Sequence, residues 1–95
     1  MRRRYLVAYD ISDDKRRTRT FQTLLDNGEH VQYSVFLCEL STRELAELKG
    51  RLAQVINHRQ DQVLILDLGK ADHELGSRLR CLGKAYEPPS RVLVV

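Results

Sequence analysis

The stretch Tyr5-Leu-Val-Ala-Tyr-Asp10-Ile-Ser-Asp-Asp14-Lys-Arg-Arg-Thr-Arg19 sets a carboxylate where an apolar run stops, with arginines in the turn of helix that follows. A guanidinium beside a carboxylate has two uses, to pair with it or to hold a phosphate, and the two are compatible. Helix capping competes for these acids, since Ser and Asp at helix starts satisfy free backbone N–H groups and complement the helix dipole. That use accounts for Ser12, Asp13 and Asp14. It does not account for Asp10, which lies two residues before the expected cap at Ser12 and continues the alternation of the preceding strand. A strand end holds a side chain firmly and still exposes it to solvent, so Asp10 is the candidate functional residue.

The elements that position Asp10 follow from pattern. Residues 3–11 are a first strand with Tyr5, Val7 and Tyr9 on one face and Leu6, Ala8 and Asp10 on the other. Both faces are mostly apolar, which predicts a central strand. Residues 13–27 form a first helix ending at Asn27-Gly28, with Phe21, Leu24 and Leu25 as its buried stripe. At about 100° per residue, Arg17 shares the stripe of Phe21 and points to the sheet rim, whereas Arg16 and Arg19 face solvent.

The segment Glu29 to Leu40 is rich in β formers and reads as one long strand or as a tight hairpin near Tyr33-Ser34. No Gly, Pro or Asn-Gly marks a turn inside it, which favours the single strand. Ser41-Thr-Arg-Glu44 is a capping box that opens a second helix to about Asn57, with Leu45, Leu48, Leu52, Val55 and Ile56 at helical spacing. Val63 to Leu66 is a continuous apolar run suited to a strand buried on both faces. Residues 70–84 are compatible with a short helix or an ordered loop, and His58 and His73 have no partner at metal-ligand spacing. After Pro88-Pro89, Val92 to Val95 either close the protomer's own sheet or add to the edge of another chain, so residues 84–95 are expected to pair with a partner.

Ninety-five residues with 42% hydrophobic content make one domain, residues 1–95, of about one helical layer on one sheet. The second sheet face then needs a cover, which predicts self-association. The first twenty residues carry seven basic against three acidic side chains, a net of +4, while the rest carry nine against ten. A localised basic patch suits a polyanion, nucleic acid ahead of a membrane, against the alternative of a solvated helix face. Cys38 and Cys81 are far apart, which argues against a zinc site or a disulfide framework. With no signal peptide and no apolar stretch long enough to span a bilayer, the expected location is the cytoplasm, without membrane attachment.

On these residues the chain resembles the small, nuclease-like CRISPR-associated adaptation proteins called Cas-two. The resemblance rests on Tyr9-Asp10-Ile after the apolar strand, Ser12-Asp-Asp, Arg17 and Arg19, and the block Val31-Gln-Tyr-Ser-Val-Phe36. It covers about the first forty residues, and from Ser41 onward only length and pattern agree. It implies an α+β, ferredoxin-like βαββαβ sandwich with an extra C-terminal strand, and a homodimer packed sheet to sheet. A divalent metal, Mg²⁺ or another such as Mn²⁺, is implied between the two Asp10 residues, which makes Asp10 catalytic. Arg16 and Arg19, facing solvent on the first helix, are expected phosphate contacts, and with Tyr9, Arg17 and His30 they make up the expected nucleic-acid contacts, with Ser34 and Phe36 supporting the site. Members of the family cleave RNA or DNA, or serve as architecture beside the CRISPR integrase subunit during spacer acquisition. His30 departs from the family, which often carries Arg there, and would weaken a phosphate contact or make it pH-dependent. The implied fold also requires a reversal within Glu29 to Leu40.

Mg²⁺ prefers six oxygen ligands and keeps several waters, and one protomer offers a single well-placed carboxylate. A two-fold axis beside Asp10 would supply the second. No general base stands out in the sequence. Three functions follow: a metal-dependent dimeric endonuclease, a non-catalytic DNA-binding scaffold of the spacer-integration complex, and a small-molecule regulatory domain. The third leaves the basic first helix unexplained and lacks a Gly-rich loop.

Overall fold

The computed structural model describes residues 1–72 and 78–86. Strand β1 (Arg3–Asp10) is made by alternating aromatic and β-branched residues, with Tyr5, Val7 and Tyr9 all buried. Helix α1 (Asp14–Leu25) follows, then β2 (Glu29–Gln32), β3 (Val35–Leu40), α2 (Thr42–Val55) and β4 (Gln62–Lys70). The sheet order is β2-β3-β1-β4, antiparallel throughout. This is the ferredoxin-like βαββαβ arrangement, with β1 central as expected. Val7, Leu24, Phe36, Cys38, Leu48 and Leu52 form the heart of the core between the sheet and the helices. His73, Pro88-Pro89 and the C-terminal strand expected at Val92 to Val95 lie outside the described residues.

Both helices start where side chains can cap them. The α2 cap is the predicted box: Ser41 Oγ accepts from the Glu44 N–H at 3.2 Å, and Glu44 accepts from the Ser41 N–H at 2.9 Å. The α1 cap is Asp13, one residue later than expected, accepting from the Arg16 N–H at 2.9 Å. The buried stripe of α1 also differs, since Thr20 and Leu24 are fully buried while Leu25 is 45% exposed. The α1 face that meets the sheet is thus turned by one residue from the Phe21–Leu25 line.

Two further expectations are overturned. Residues 29–40 are a hairpin, β2 to β3, closed by the two-residue loop Tyr33-Ser34 between the paired Gln32 and Val35. The turn uses a positive φ of 40° at Tyr33, a conformation for which its residue type gives no cue. Strand β4 lies at a sheet edge and is buried on one side only: Val63 and Ile65 pack on the core, while Leu64 and Leu66 are 56% and 57% exposed. An apolar run predicts two-sided burial only when layers cover both faces, and here the helices cover one.

The basic N-terminal patch is also divided. Arg2 pairs with Glu44 at 2.6 Å and Arg3 with Asp67 at 3.0 Å, at the far end of β1 from α1, on the order of 23 Å away along a strand of this length. Arg16 does not face solvent as its helical position suggests. Its Nε and Nη2 donate to the Asp61 carboxylate at 2.7 and 3.2 Å, and the Asp61 side chain is only 1% exposed. Those Arg16 hydrogen bonds hold the Asp61 carboxyl below the usual carboxylate range, against the upward push of burial, and the Asn57 N–H adds to the pull. The pair clamps the start of α1 to the loop before β4. Helical periodicity carries no information about that loop.

Gly28 does end the α1 region, but through close approach. A Cβ on it would lie 2.5 Å from both the Cys38 sulfur and the Leu37 carbonyl oxygen of β3. Gly28→Ala should therefore destabilise the fold by about 1–3 kcal/mol, read as a lower urea midpoint. The Arg16–Asp61 clamp predicts a pH signature. A depressed native pKa stabilises above the unfolded value near ~3.9 and is lost as pH falls through the native one. Asp61→Asn should lower Tm at pH 7, and the gap to the parent should close progressively below about pH 4.

Candidate functional site at the end of the first strand

Asp10 is the last residue of β1, paired in register with Gln62 of β4. The alternation that sends Tyr9 into the core turns Asp10 outward, and it is exposed. No side chain among the described residues donates a hydrogen bond to it or forms an ion pair with it. It lines a groove of about 460 Å³ with Tyr9, Ile11, Arg17, Thr18, Phe21, Tyr33 and Ser34. Tyr9, Asp10, Arg17 and Ser34 of the sequence candidates therefore meet in one groove.

Arg17 reaches the rim, as its spacing predicts, but it pairs with Asp14 and not with Asp10. Its Nη1 also donates to the carbonyls of Ile11 and Ser12, at 3.1 and 3.0 Å. These contacts fix the guanidinium over the β1–α1 linker and leave two of its five N–H groups for a ligand. Asp13 is occupied as the cap and Asp14 by Arg17, so the helix-start acids serve the helix.

Tyr9 anchors the groove from beneath. Its ring is buried against Phe36, centroids 6.4 Å apart, and its N–H donates to the Ser34 carbonyl at 3.1 Å. Burial pushes the phenol above its usual pKa, against the opposing pull of Arg17, so at neutral pH it donates and does not accept a proton. Phe36, fully buried, also touches Phe21 at 5.4 Å and His30 at 4.9 Å between ring centroids. Its supporting place is at the back of the groove.

His30 and Arg19 stand apart from the groove. The His30 ring lies edge-on to Phe21 with its Nε2 2.6 Å from the Tyr33 carbonyl oxygen, so it braces the hairpin turn. Arg19 is exposed on α1, and Arg16 is held by Asp61. Thr18, Phe21 and Tyr33 are groove residues that the sequence did not single out. The spacing of four from Arg17 to Phe21 was the available signal for one of them. Tyr33 was hidden because strand alternation explained it equally well.

Among the described residues no three His, Cys, Asp or Glu side chains come together as a metal site. Asp10 nevertheless fits the way Mg²⁺ binds, through one or two carboxylates with water and substrate phosphate completing the shell. Its oxygens are open to solvent and tied to no donor among the described residues. The buried Cys38 thiol, pushed up to about 11 by desolvation, is no nucleophile. The groove thus offers one open carboxylate, two guanidinium N–H groups and a phenol O–H, a set whose chemistry suits a phosphodiester and a cation.

Comparison with known proteins identifies the family. The family profile described as CRISPR associated protein Cas2 matches residues 1–74. A Geobacter sulfurreducens protein named CRISPR-associated endoribonuclease Cas2 is 35% identical over 91 residues, covering 96% of this chain and 95% of the relative. A Thermodesulfovibrio yellowstonii protein of the same endoribonuclease description is 46% identical over 68 residues, 72% of this chain and 75% of its own length. Among solved structures, a hypothetical protein from Thermus thermophilus superposes with a TM-score of 0.78 at 35% identity, covering 94% of this chain and 100% of that one. Streptococcus pyogenes Cas2 superposes at 0.73 with 32% identity, over 84% of this chain and 99% of its own. With the family profile spanning most of its length and close relatives spanning nearly all of it, this chain belongs to the CRISPR-associated Cas2 family.

Proposed function

We propose that the chain is a homodimeric endonuclease of the CRISPR adaptation machinery that hydrolyses RNA phosphodiesters with a divalent cation, Mg²⁺ or Mn²⁺, held at Asp10. The observation that carries this reading is an open Asp10 carboxylate at the end of the sheet face that bears no helices, next to Arg17 and Tyr9 in one groove. The endoribonuclease names of the relatives favour RNA over DNA.

The helix-free face supports a dimer. Leu64, Leu66 and Leu68 of β4 are all exposed there, and burying such side chains contributes about 1.5–3 kcal/mol each. A second copy packed on this face brings a second Asp10 toward the first when the two-fold axis passes near the strand ends. Two carboxylates and water then suit Mg²⁺.

Arg17, fixed by the Ile11 and Ser12 carbonyls, directs its two remaining N–H groups at a non-bridging phosphate oxygen. The Tyr9 phenol donates a hydrogen bond at the same groove wall. When bound, a divalent cation at Asp10 neutralises charge on the phosphodiester. Arg19 adds a contact to the polyanion outside the groove. An association with the CRISPR integrase subunit during spacer acquisition belongs to the same proposal.

A second reading, a non-catalytic DNA-binding scaffold, draws on a specific observation: among the described residues no general base beyond the proposed metal ligand Asp10 lines the groove. The Tyr9 phenol stays protonated, and His30 is turned to the Tyr33 carbonyl. An Asp10→Asn variant separates the readings. On the nuclease reading, metal-dependent cleavage of RNA falls at least about 100-fold with Tm and RNA affinity near those of the parent. Unchanged cleavage by a carefully purified Asp10→Asn protein would remove Asp10 from the chemistry, and a parent that binds duplex DNA without cleaving favours the scaffold.

The dimer is tested by light scattering at micromolar concentration. The parent should give twice the mass of the chain, and Leu64→Glu with Leu66→Glu should give the monomer with its far-ultraviolet circular dichroism unchanged. A monomeric parent contradicts the shared site.

A further inference from the structure

Tyr33 is the first residue of the two-residue loop joining β2 to β3, and its backbone adopts a φ of 40°. Bulky side chains rarely accept that conformation, and Gly or Asn would adopt it with less strain. Tyr33 is 89% exposed, and among the described residues no ring stacks on it and no group hydrogen-bonds its hydroxyl. A strained, exposed aromatic ring persists only where its surroundings over-determine it.

The surroundings here hold the loop from both sides. The Tyr33 carbonyl oxygen lies 2.6 Å from His30 Nε2, and the Ser34 carbonyl accepts from the Tyr9 N–H at 3.1 Å. The first contact rests on the Phe21–Phe36 cluster through the His30 ring, and the second is an extension of β1. Tyr33 lines the groove that contains Asp10 and Arg17, and on its other side it borders a second groove formed with Leu79 and Tyr86. A phosphate held by Arg17 carries a base on the adjoining sugar, within reach of the groove wall.

We propose that Tyr33 is a stacking platform for an unpaired nucleobase next to the bond held at Asp10. An aromatic face takes any base, and the base must be out of a duplex to reach it. The inference rests on the groove being the nucleic-acid site proposed above, and adds the residue that engages the base.

The chain has no tryptophan, so Tyr33→Trp places a single indole reporter in the full-length protein. Binding is read in EDTA, without cleavage, on labelled 12-nucleotide single-stranded RNA, single-stranded DNA, the matching duplexes and an abasic single strand of equal length. Tyr33→Trp should bind the single strands as tightly as the parent, with its emission quenched by base-bearing strands and not by the abasic one. Tyr33→Asn should bind base-bearing single strands on the order of tenfold to a hundredfold more weakly. Its affinity for the abasic strand should equal the parent's, and its Tm should be no lower. The RNA and DNA arms show which sugar accompanies the base.

Equal binding of base-bearing strands by the parent and Tyr33→Asn overturns the proposal. So do an equal loss on the abasic strand, a preference of the parent for duplex, or a parent that binds no single strand. Because EDTA removes the cleavage step, absent nuclease activity leaves this readout intact, and a failed stacking test leaves the Asp10 assay standing.

Discussion

The two-residue alternation of β1, set against helices that cover only one side of the sheet, governs the rest of the structure. Tyr5, Val7 and Tyr9 are buried under α1 and α2, which obliges Leu6, Ala8 and Asp10 to face the other way. A slip of one residue would bury Asp10 and expose the tyrosines, so the core fixes the register and the register fixes the carboxylate. The same constraint leaves Leu64 and Leu66 of β4 without a covering layer among the described residues. An open acid and an open apolar strip thus have one physical origin, which is why the proposed chemistry and the proposed dimer belong together.

The groove is stiffened by pieces that never touch a ligand. Phe36 sits at the centre, touching Tyr9, Phe21 and His30, and these carry the linker, the helix and the turn that wall the groove. The Arg16–Asp61 clamp fixes the start of α1 against the loop that leads into β4, whose Gln62 pairs with Asp10. Gly28 lets the end of α1 close on β3. Precise placement of Arg17 follows from these supports, since its own contacts are to the backbone of the short segment between β1 and α1.

What the sequence disclosed was what local pattern encodes. Alternation identified β1 and its outward Asp10, and the capping box identified α2 to the residue at its start. The hairpin was not legible because Tyr33 takes a positive φ that its type does not advertise, and the resemblance to the family supplied that reversal. Arg16 was misplaced because a helical wheel assigns a face to a side chain without knowing that a buried carboxylate from residue 61 will meet it. Gly28 was found in the right place for a different reason, a contact with β3 formed only on folding. The basic patch looked continuous because seven charges are close in sequence, yet β1 carries its two ends apart and Glu44, Asp67, Asp61 and Asp14 pair with four of them.

The central claim is that Asp10 from each of two chains shares one cation. Titration of Mn²⁺ into the purified protein, followed by the electron paramagnetic resonance of the free ion, tests it without reference to cleavage. The account predicts one tightly held ion for every two chains, lost in Asp10→Asn. Binding by Asp10→Asn equal to that of the parent, or one ion per chain in a protein that scatters as a monomer, would contradict it.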